Sequence, residues 1–197
     1  MPSSATSGQA ARERLRVELV DPTGRTTGST TVHEAHTRPG GLLHRAFSVM
    51  LVNDRGEVLL QRRAASKRRF PGLWSNTCCG HPAPGQDPAD AARARLLEEL
   101  GVRAGELRPA GPFVYRAEDP TSEYVEHEYD HVLVGDHDGA PPAVDPDEVS
   151  EVAWRPLTEV LAELDGPGAA SYTPWFRQVA HLTRELRESR ALPGTGH

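Results

Sequence analysis

The sequence has little cysteine and no long apolar run. Its two cysteines, Cys78 and Cys79, are neighbours, so they cannot join distant segments, and the chain is not a disulfide scaffold. No window approaches the roughly 18 uninterrupted apolar residues of a membrane-spanning helix. The first residues also lack the apolar core of a secretory signal. We therefore expect a cytoplasmic protein without a membrane partner.

The sequence also has fewer basic than acidic residues. The 22 basic residues are outnumbered by 28 acidic ones, and the net charge is −6 at pH 7. This balance argues against nucleic acid as a partner, because such binding depends on attraction to phosphate. The chain has 197 residues, which is enough to bury one core. Apart from the final helix, no segment has a long apolar stripe that would indicate a second protein chain as a partner, so we expect a monomer.

Hydrophobic periodicity and turn residues divide the chain into strands and helices. Strands are predicted at 15–20, 46–52, 57–63, 113–117, 124–135 and near 151–155, and helices at 87–100, 158–164 and 173–190. These elements interleave without strict βαβ alternation, which predicts an α/β (α+β) domain with a mixed sheet. Residues 1–12 are predicted to be a disordered leader, 13–190 a single domain, and 191–197 a flexible tail.

The helix at 87–100 has clear boundaries and a charged face. Asp87 is a candidate N-cap, Pro88 suits the first helical position, and Gly101 is a stop signal. Arg95 and Glu99 are four residues apart and share one face with Glu98. Taken alone, such a trio is typical of a solvated helix face with an ion pair.

Two further patterns carry potential chemistry. In the strand at 124–135, alternation places Glu126 and Glu128 on one face and His127 on the other. Two like charges on one face repel unless a cation lies between them, or the face is solvated. The string SNTCCGHP, taken alone, indicates no more than a buried small side chain beside a loop histidine.

The helix and its flanks resemble the Nudix box, the loop-helix-loop motif of Nudix hydrolases. The matching positions are Gly80, Leu96, Glu98, Glu99, Gly101 and Val102. Gln86, Ala94 and Arg95 do not match, and they replace groups that help to hold the metals with which Nudix hydrolases cleave pyrophosphates. The altered box argues against hydrolysis.

Several segments together resemble the type 1 isopentenyl-diphosphate isomerases, a family with the Nudix fold, in which a mixed β-sheet is sandwiched between helices. They are the region around His36 and His44, QRRAASK, PGLWSNTCCGHP, the altered box and VEHEY. The resemblance runs from about residue 15 to residue 185. It implies interconversion of isopentenyl and dimethylallyl diphosphate, in which an acid protonates the alkene and a base removes a proton from the opposite face.

The resemblance also implies roles for individual residues. Cys79 and Glu128 match the two catalytic groups, and Cys78 is interpreted as a packing residue. Tyr115 matches a tyrosine that hydrogen-bonds the catalytic glutamate. Trp175 matches a tryptophan that covers the alkene, where an aromatic face can stabilise the carbocation by about 2 kcal/mol or more.

Metal and diphosphate sites follow from the same resemblance. The implied ligands of one divalent metal, Zn²⁺, Mn²⁺ or Mg²⁺, are His36, His44, His81, Glu126 and Glu128. A second ion, Mg²⁺, would bridge the substrate diphosphate and Glu99 with help from the Cys79 carbonyl. The implied diphosphate-binding residues are Arg63, Lys67 and Arg95.

The chain departs from the family around the substrate pocket. The spacing from His36 to His44 is one residue longer, which makes His33 a rival ligand. Val32 stands where the family carries a diphosphate-binding lysine, so one phosphate contact is lost or relocated. These changes leave room for a homologue acting on a modified prenyl diphosphate. A Nudix pyrophosphohydrolase and a binding protein without catalytic activity are the remaining alternatives.

Overall fold

The protein combines nine strands and five α-helices within residues 4–191, the part of the chain that this computed structural model describes. The strands are β1 (Arg16–Val20), β2 (Thr26–Thr31), β3 (His44–Val52), β4 (Glu57–Arg63), β5 (Trp74–Ser75), β6 (Cys78–Gly80), β7 (Leu107–Glu118), β8 (Val125–Asp136) and β9 (Val149–Pro156). The helices are α1 (Ser4–Glu13), α2 (Val32–His36), α3 (Pro88–Leu100), α4 (Leu157–Leu164) and α5 (Phe176–Ala191). No described helix is long and apolar enough to cross a membrane.

Strand β3 lies at the centre of a mixed sheet. It pairs in parallel with β8 along its whole length, and β7 continues the sheet antiparallel to β8. It also pairs antiparallel with β6 and, at one position, with β1. Strands β3 and β4 follow one another through a short turn, but only Val52 and Val58 pair between them. The reason is that β4 pairs instead with β9 and β5.

Helices cover the sheet on both sides, as the sequence predicted. Successive side chains of β3 enter two different cores, because neighbouring residues of a strand point to opposite faces. Val49 and Leu51 pack in the core that contains α3, whereas Met50 and Val52 pack in the core that contains α4 and α5. The mixed sheet between helices is therefore confirmed.

Helix α3 begins and ends where the sequence predicted. The Asp87 side chain accepts hydrogen bonds from the backbone N–H groups of Ala89 and Asp90, at 2.8 and 3.1 Å. Pro88 is the first helical residue. Gly101 ends the helix in the left-handed conformation, with φ of +65°. The cap and stop fix the register of α3, and with it the face that carries Arg95 and Glu99.

Two segments expected to be irregular have regular structure. The disordered leader predicted for residues 1–12 is wrong for residues 4–12, because α1 runs from Ser4 to Glu13. No strand or helix was predicted between residues 20 and 46, but β2 and α2 lie there, and α2 begins with a capping box formed by Thr31 and Glu34. Of the tail predicted for 191–197, Ala191 ends α5 and the rest lies outside the described residues.

Candidate active site

Three histidines and two glutamates from separate elements converge at one end of the sheet. His36 comes from α2, His44 from the start of β3, His81 from the segment after β6, and Glu126 and Glu128 from β8. Their ligand atoms all lie within 4.8 Å of one another. The parallel register of β3 and β8 pairs His44 directly with Glu128. The structure thus brings together the five residues that the sequence indicated as metal ligands.

Backbone carbonyls orient two of these imidazoles. The Nδ1 atoms of His36 and His44 lie 2.6 and 2.7 Å from the carbonyl oxygens of Val32 and Leu42. A carbonyl only accepts, so each Nδ1 is the donor and each Nε2 faces the cluster. This is the arrangement found in histidines that bind metals.

The residues present fit a divalent cation. The Nε2 atoms of His36 and His44 and the Oε2 atom of Glu126 are buried and have no hydrogen-bond partner among the described residues. His36 Nε2 lies 2.9 Å from Glu126 Oε2, so two electron-rich atoms face each other. A bound cation would satisfy both, and the donor set of imidazoles and carboxylates suits Zn²⁺, Mn²⁺ or Mg²⁺.

His33 does not join this cluster. Its side chain is exposed, and it contacts the edge of Tyr124, with the ring centroids 6.3 Å apart. The longer loop is therefore accommodated without displacing His36 or His44 from the site.

Protonation states in the cluster also suit a metal. Burial lowers the pKa of His36 and lowers the pKa of His81 to about 4, so both rings are neutral at pH 7. Burial alone would raise the pKa of Glu128, but the neighbouring His44 and His81 imidazoles hold it well below its ordinary value. Neutral imidazoles and ionised carboxylates are the forms that bind metal ions.

A pocket of about 310 Å³ lies beside the cluster and contains both candidate catalytic groups, Cys79 and Glu128. In the sheet, Tyr115 pairs with Glu128, and its hydroxyl donates to Glu128 Oε2 at 2.6 Å. Burial raises the pKa of Cys79 to about 12, so the thiol keeps its proton at neutral pH. Its neighbour Cys78 is fully buried in the core beside α3, as expected of a packing residue.

Aromatic rings form one wall of this pocket. Trp175 is 3% exposed and lies against Tyr115, with the ring centroids 5.7 Å apart. The ring of Phe70 packs nearly perpendicular to that of Trp175, with the ring centroids 5.4 Å apart. The Arg63 guanidinium lies 5.6 Å from the Trp175 ring centroid. The aromatic lining of the pocket is therefore close to the positively charged Arg63 guanidinium.

Cationic side chains also line the pocket, and two of them share buried anionic partners. Lys67 and Arg95 each pair with the two buried carboxylates Glu99 and Glu148. Glu148 Oε2 is 2.9 Å from Arg95, and Glu148 Oε1 is 3.1 Å from Arg12 Nε. The sequence indicated Lys67, Arg95 and Glu99 but not Glu148, whose partners are far from it along the chain. Each cation thus already has an anionic partner at the place where a diphosphate is expected.

Helix α1 contributes to this region as well. Arg12 reaches Glu148 and Glu98, and Glu13 accepts a hydrogen bond from Arg69 at 2.9 Å. Arg69 Nε is also 3.5 Å from Glu126. Val32, which replaces the expected lysine, packs with the small core of Val17 and Ala35. Arg12 and Arg69 both line the pocket, so cationic groups reach it from elements that the sequence did not indicate.

The altered box differs from a metal-binding helix in the way its substitutions suggested. Gln86 and Ala94 line the pocket without supplying a carboxylate. Glu98 is largely exposed and pairs with Arg95 at 3.1 Å. Glu99, at 2% exposure, is the buried carboxylate of this helix face, and Arg95 lies against it.

Comparison with known proteins agrees with this geometry. A model of the NUDIX domain matches residues 42–176. The chain is 55% identical to the isopentenyl-diphosphate Delta-isomerase of Nocardia farcinica over 168 residues, covering 85% of this chain and 94% of that protein. It is 43% identical to the enzyme of the same name from Streptomyces griseus over 197 residues, covering 99% and 98%.

A solved structure supports the fold alone. The crystal structure of a Deinococcus radiodurans protein superposes with a TM-score of 0.66 at 22% identity, covering 84% of this chain and 97% of that one. Together with the two curated relatives and the domain match, the converging histidines, glutamates and thiol lead to one conclusion: the chain belongs to the isopentenyl-diphosphate Delta-isomerases, on a NUDIX domain.

Proposed function

We propose that the protein interconverts isopentenyl and dimethylallyl diphosphate, with Cys79 as the proton donor and Glu128 as the proton acceptor. The observation that carries the proposal is that the Cys79 thiol and the Glu128 carboxylate line one pocket together with aromatic and cationic side chains. Such a pocket suits a small apolar tail attached to a diphosphate.

The difficult step is protonation of an unactivated alkene. It places positive charge on a tertiary carbon, which water would trap if it entered. The rings of Trp175 and Tyr115 offer electron-rich faces, and a desolvated face of this kind stabilises a cation by about 2 kcal/mol or more. Because burial raises the pKa of Cys79, the thiol enters this step carrying the proton that it delivers.

Removal of a proton completes the isomerisation. Glu128 is ionised at neutral pH and is therefore able to accept it. The Tyr115 hydroxyl fixes the carboxylate orientation through its 2.6 Å hydrogen bond. In the reverse direction the two groups exchange roles, since each carries the proton in turn.

We assign the substrate diphosphate to the part of the pocket that Arg63, Lys67 and Arg95 line. Arg95 and Lys67 would exchange their present partners, Glu99 and Glu148, for phosphate oxygens, and Arg63 would support them from the Trp175 side. Glu99, with the Cys79 carbonyl, would hold the Mg²⁺ that accompanies the diphosphate. The other divalent ion would be held by His36, His44, His81, Glu126 and Glu128. That ion would neutralise the paired carboxylates and keep Glu128 ionised.

The proposal also covers the location, the oligomeric state and the partners of the protein. The protein is a cytoplasmic monomer whose partner is a small prenyl diphosphate rather than nucleic acid or membrane. A homologue acting on a modified prenyl diphosphate remains the alternative, because Val32, which lines the pocket, stands where the family carries a diphosphate-binding lysine. Turnover on isopentenyl diphosphate compared with methylated analogues separates the two.

Two substitutions test the assignment of the proton donor and acceptor. Cys79→Ala and Glu128→Gln are each expected to abolish formation of dimethylallyl diphosphate, because each removes one of the two proton-handling groups. Product is measured with Mg²⁺ present, and folding is checked by circular dichroism. Cys78→Ala is the matched control, since that thiol packs in the core beside α3. Near-normal turnover in either variant, or equal loss in the control, contradicts the assignment.

A further inference from the structure

A single buried amide contacts both Cys79 and Trp175. Asn76 lies between β5 and β6 and is 0% exposed. Its Oδ1 accepts a hydrogen bond from Trp175 Nε1 at 3.1 Å. Its Nδ2 lies 3.1 Å from the sulfur of Cys79, which is also 3.3 Å from Oδ1. One side chain therefore connects the candidate proton donor to the aromatic wall.

Its neighbours fix the orientation of this amide. Trp175 Nε1 can only donate, so it requires the oxygen end of Asn76. The carbonyl oxygens of Cys78 and Val49, at 2.8 and 3.2 Å, can only accept, so they require the nitrogen end. A flipped amide would place like atoms together at both ends. The N–H groups therefore face β3, β6 and the sulfur.

The amide is anchored to the sheet and not to a mobile surface loop. Val49 belongs to β3 and Cys78 to β6, so the carbonyls that hold Asn76 are parts of the central strands. A second link runs in parallel, because Ser75 Oγ lies 2.8 Å from Thr173 Oγ1, two residues before Trp175. The segment that carries Trp175 is thereby held to the segment that carries Cys79.

From this geometry we propose that Asn76 is a positioning residue, which sets the Cys79 sulfur and the Trp175 ring in the relative placement that alkene protonation requires. The inference rests on the proposed isomerase function. A proton donor and a cation-stabilising ring act together only if both face the same carbon, and a misplacement of about 1 Å can cost about 10²-fold in rate. The sulfur also becomes an anion as its proton leaves, and the Asn76 N–H is a donor within reach of it.

Two variants separate the contribution of the Asn76 oxygen from that of the Asn76 N–H group. Asn76→Ala removes both ends, and Asn76→Asp keeps an acceptor for Trp175 while removing the N–H donor to Cys79. We expect kcat to fall about 10²-fold in Asn76→Ala, with KM for isopentenyl diphosphate within about threefold of wild type, because the diphosphate contacts are untouched. We expect kcat to fall in Asn76→Asp as well.

A spectroscopic readout reports the contact independently of activity. The indole N–H resonance of Trp175, assigned with Trp175→Phe, is expected to lose its hydrogen-bonded shift in Asn76→Ala and to retain it in Asn76→Asp. Asn53→Ala is the matched control. Asn53 is another buried asparagine, but its amide holds the turn between β3 and β4. It is expected to lower the Tm while kcat stays within about threefold of wild type.

Each outcome supports or overturns the inference. A folded Asn76→Ala with kcat within about threefold of wild type overturns it, as does a loss confined to KM or an unchanged Trp175 resonance. If Asn76→Ala does not fold, Asn76→Asp decides, and normal kcat in that variant overturns the role of the N–H donor. Absence of dimethylallyl product from the wild type refutes the proposed function instead, and the resonance then still tests the contact.

Discussion

Glu148 is predicted to stabilise the protein through its charge. It is 5% exposed and lies against the cations Lys67, Arg95 and Arg12. Burial alone would raise the pKa of Glu148, but the charge of Lys67 and then that of Arg95 lower it from 4.5 to about 2. Replacing this carboxylate with the neutral amide of Glu148→Gln leaves the three cations without their common partner.

The size of the effect follows from the pKa. The difference between 4.5 and about 2 corresponds to about 3 kcal/mol at about 1.4 kcal/mol per pH unit. The same order is expected when one partner of a buried ion pair is removed, at about 3–5 kcal/mol. Because the folded-state pKa is lowered, the contribution is fully present above about pH 4.5 and is lost as the pH falls towards 2. About half of it remains at pH 3.

Urea unfolding at several pH values measures this contribution. Glu148→Gln should lower the free energy of unfolding by about 3 kcal/mol at pH 7, and the gap from wild type should narrow by about half at pH 3. Glu98→Gln is the control, because that carboxylate is 55% exposed and its pairs are solvated. It should change stability by less than about 1 kcal/mol. A gap for Glu148→Gln that stays the same from pH 7 to pH 3 would refute the reasoning.

Three further predictions address other parts of the molecule. Tyr115→Phe should lower kcat by about tenfold or more, because a hydrogen bond to a charged group is worth about 1.5–3 kcal/mol; steady-state kinetics with unchanged kcat would contradict this. Leu96→Ala, in the α3 core, should cost about 2–5 kcal/mol in urea unfolding, whereas Leu97→Ala, 42% exposed, should cost far less. Adding Mn²⁺ or Zn²⁺ to chelator-treated protein should raise the Tm, and His36→Gln should remove most of that rise.

The candidate site was predictable where the signal is local. The alternation in VEHEY places Glu126 and Glu128 on one face, and the structure buries both while His127 bonds the Gly41 carbonyl. Glu148 had no such signal, since it lies in an acidic loop and its partner Lys67 is 81 residues away in sequence. A local sequence pattern cannot indicate a contact between two residues that lie far apart in the chain and meet only in the folded protein.

The fold was predictable for the same physical reason. Asp87 and Gly101 mark the ends of α3 through short-range hydrogen bonds and backbone conformation, so the sequence carries them directly. Helix α2 also carried a local signal, Thr31 with Glu34 three residues later, which the polar composition of its surroundings obscured. Strand β2 carried none, because its residues TTGSTT are small, polar and partly exposed, and pairing with β1 alone makes them a strand.

The side chains of α3 are the reason why we expect this NUDIX domain to hold a diphosphate and not to cleave it. In Nudix hydrolases, carboxylates of the box help to hold the metal ions that assist cleavage. Here Arg95 lies against Glu99, and Gln86 and Ala94 supply no anion to the pocket. A cation on this face attracts phosphate oxygens, and Glu99 is the one buried carboxylate that α3 offers to a metal ion. We therefore expect no phosphate release from nucleoside diphosphate derivatives. Metal-dependent release by the wild type would show that the substitution at residue 95 has not changed the chemistry of the box.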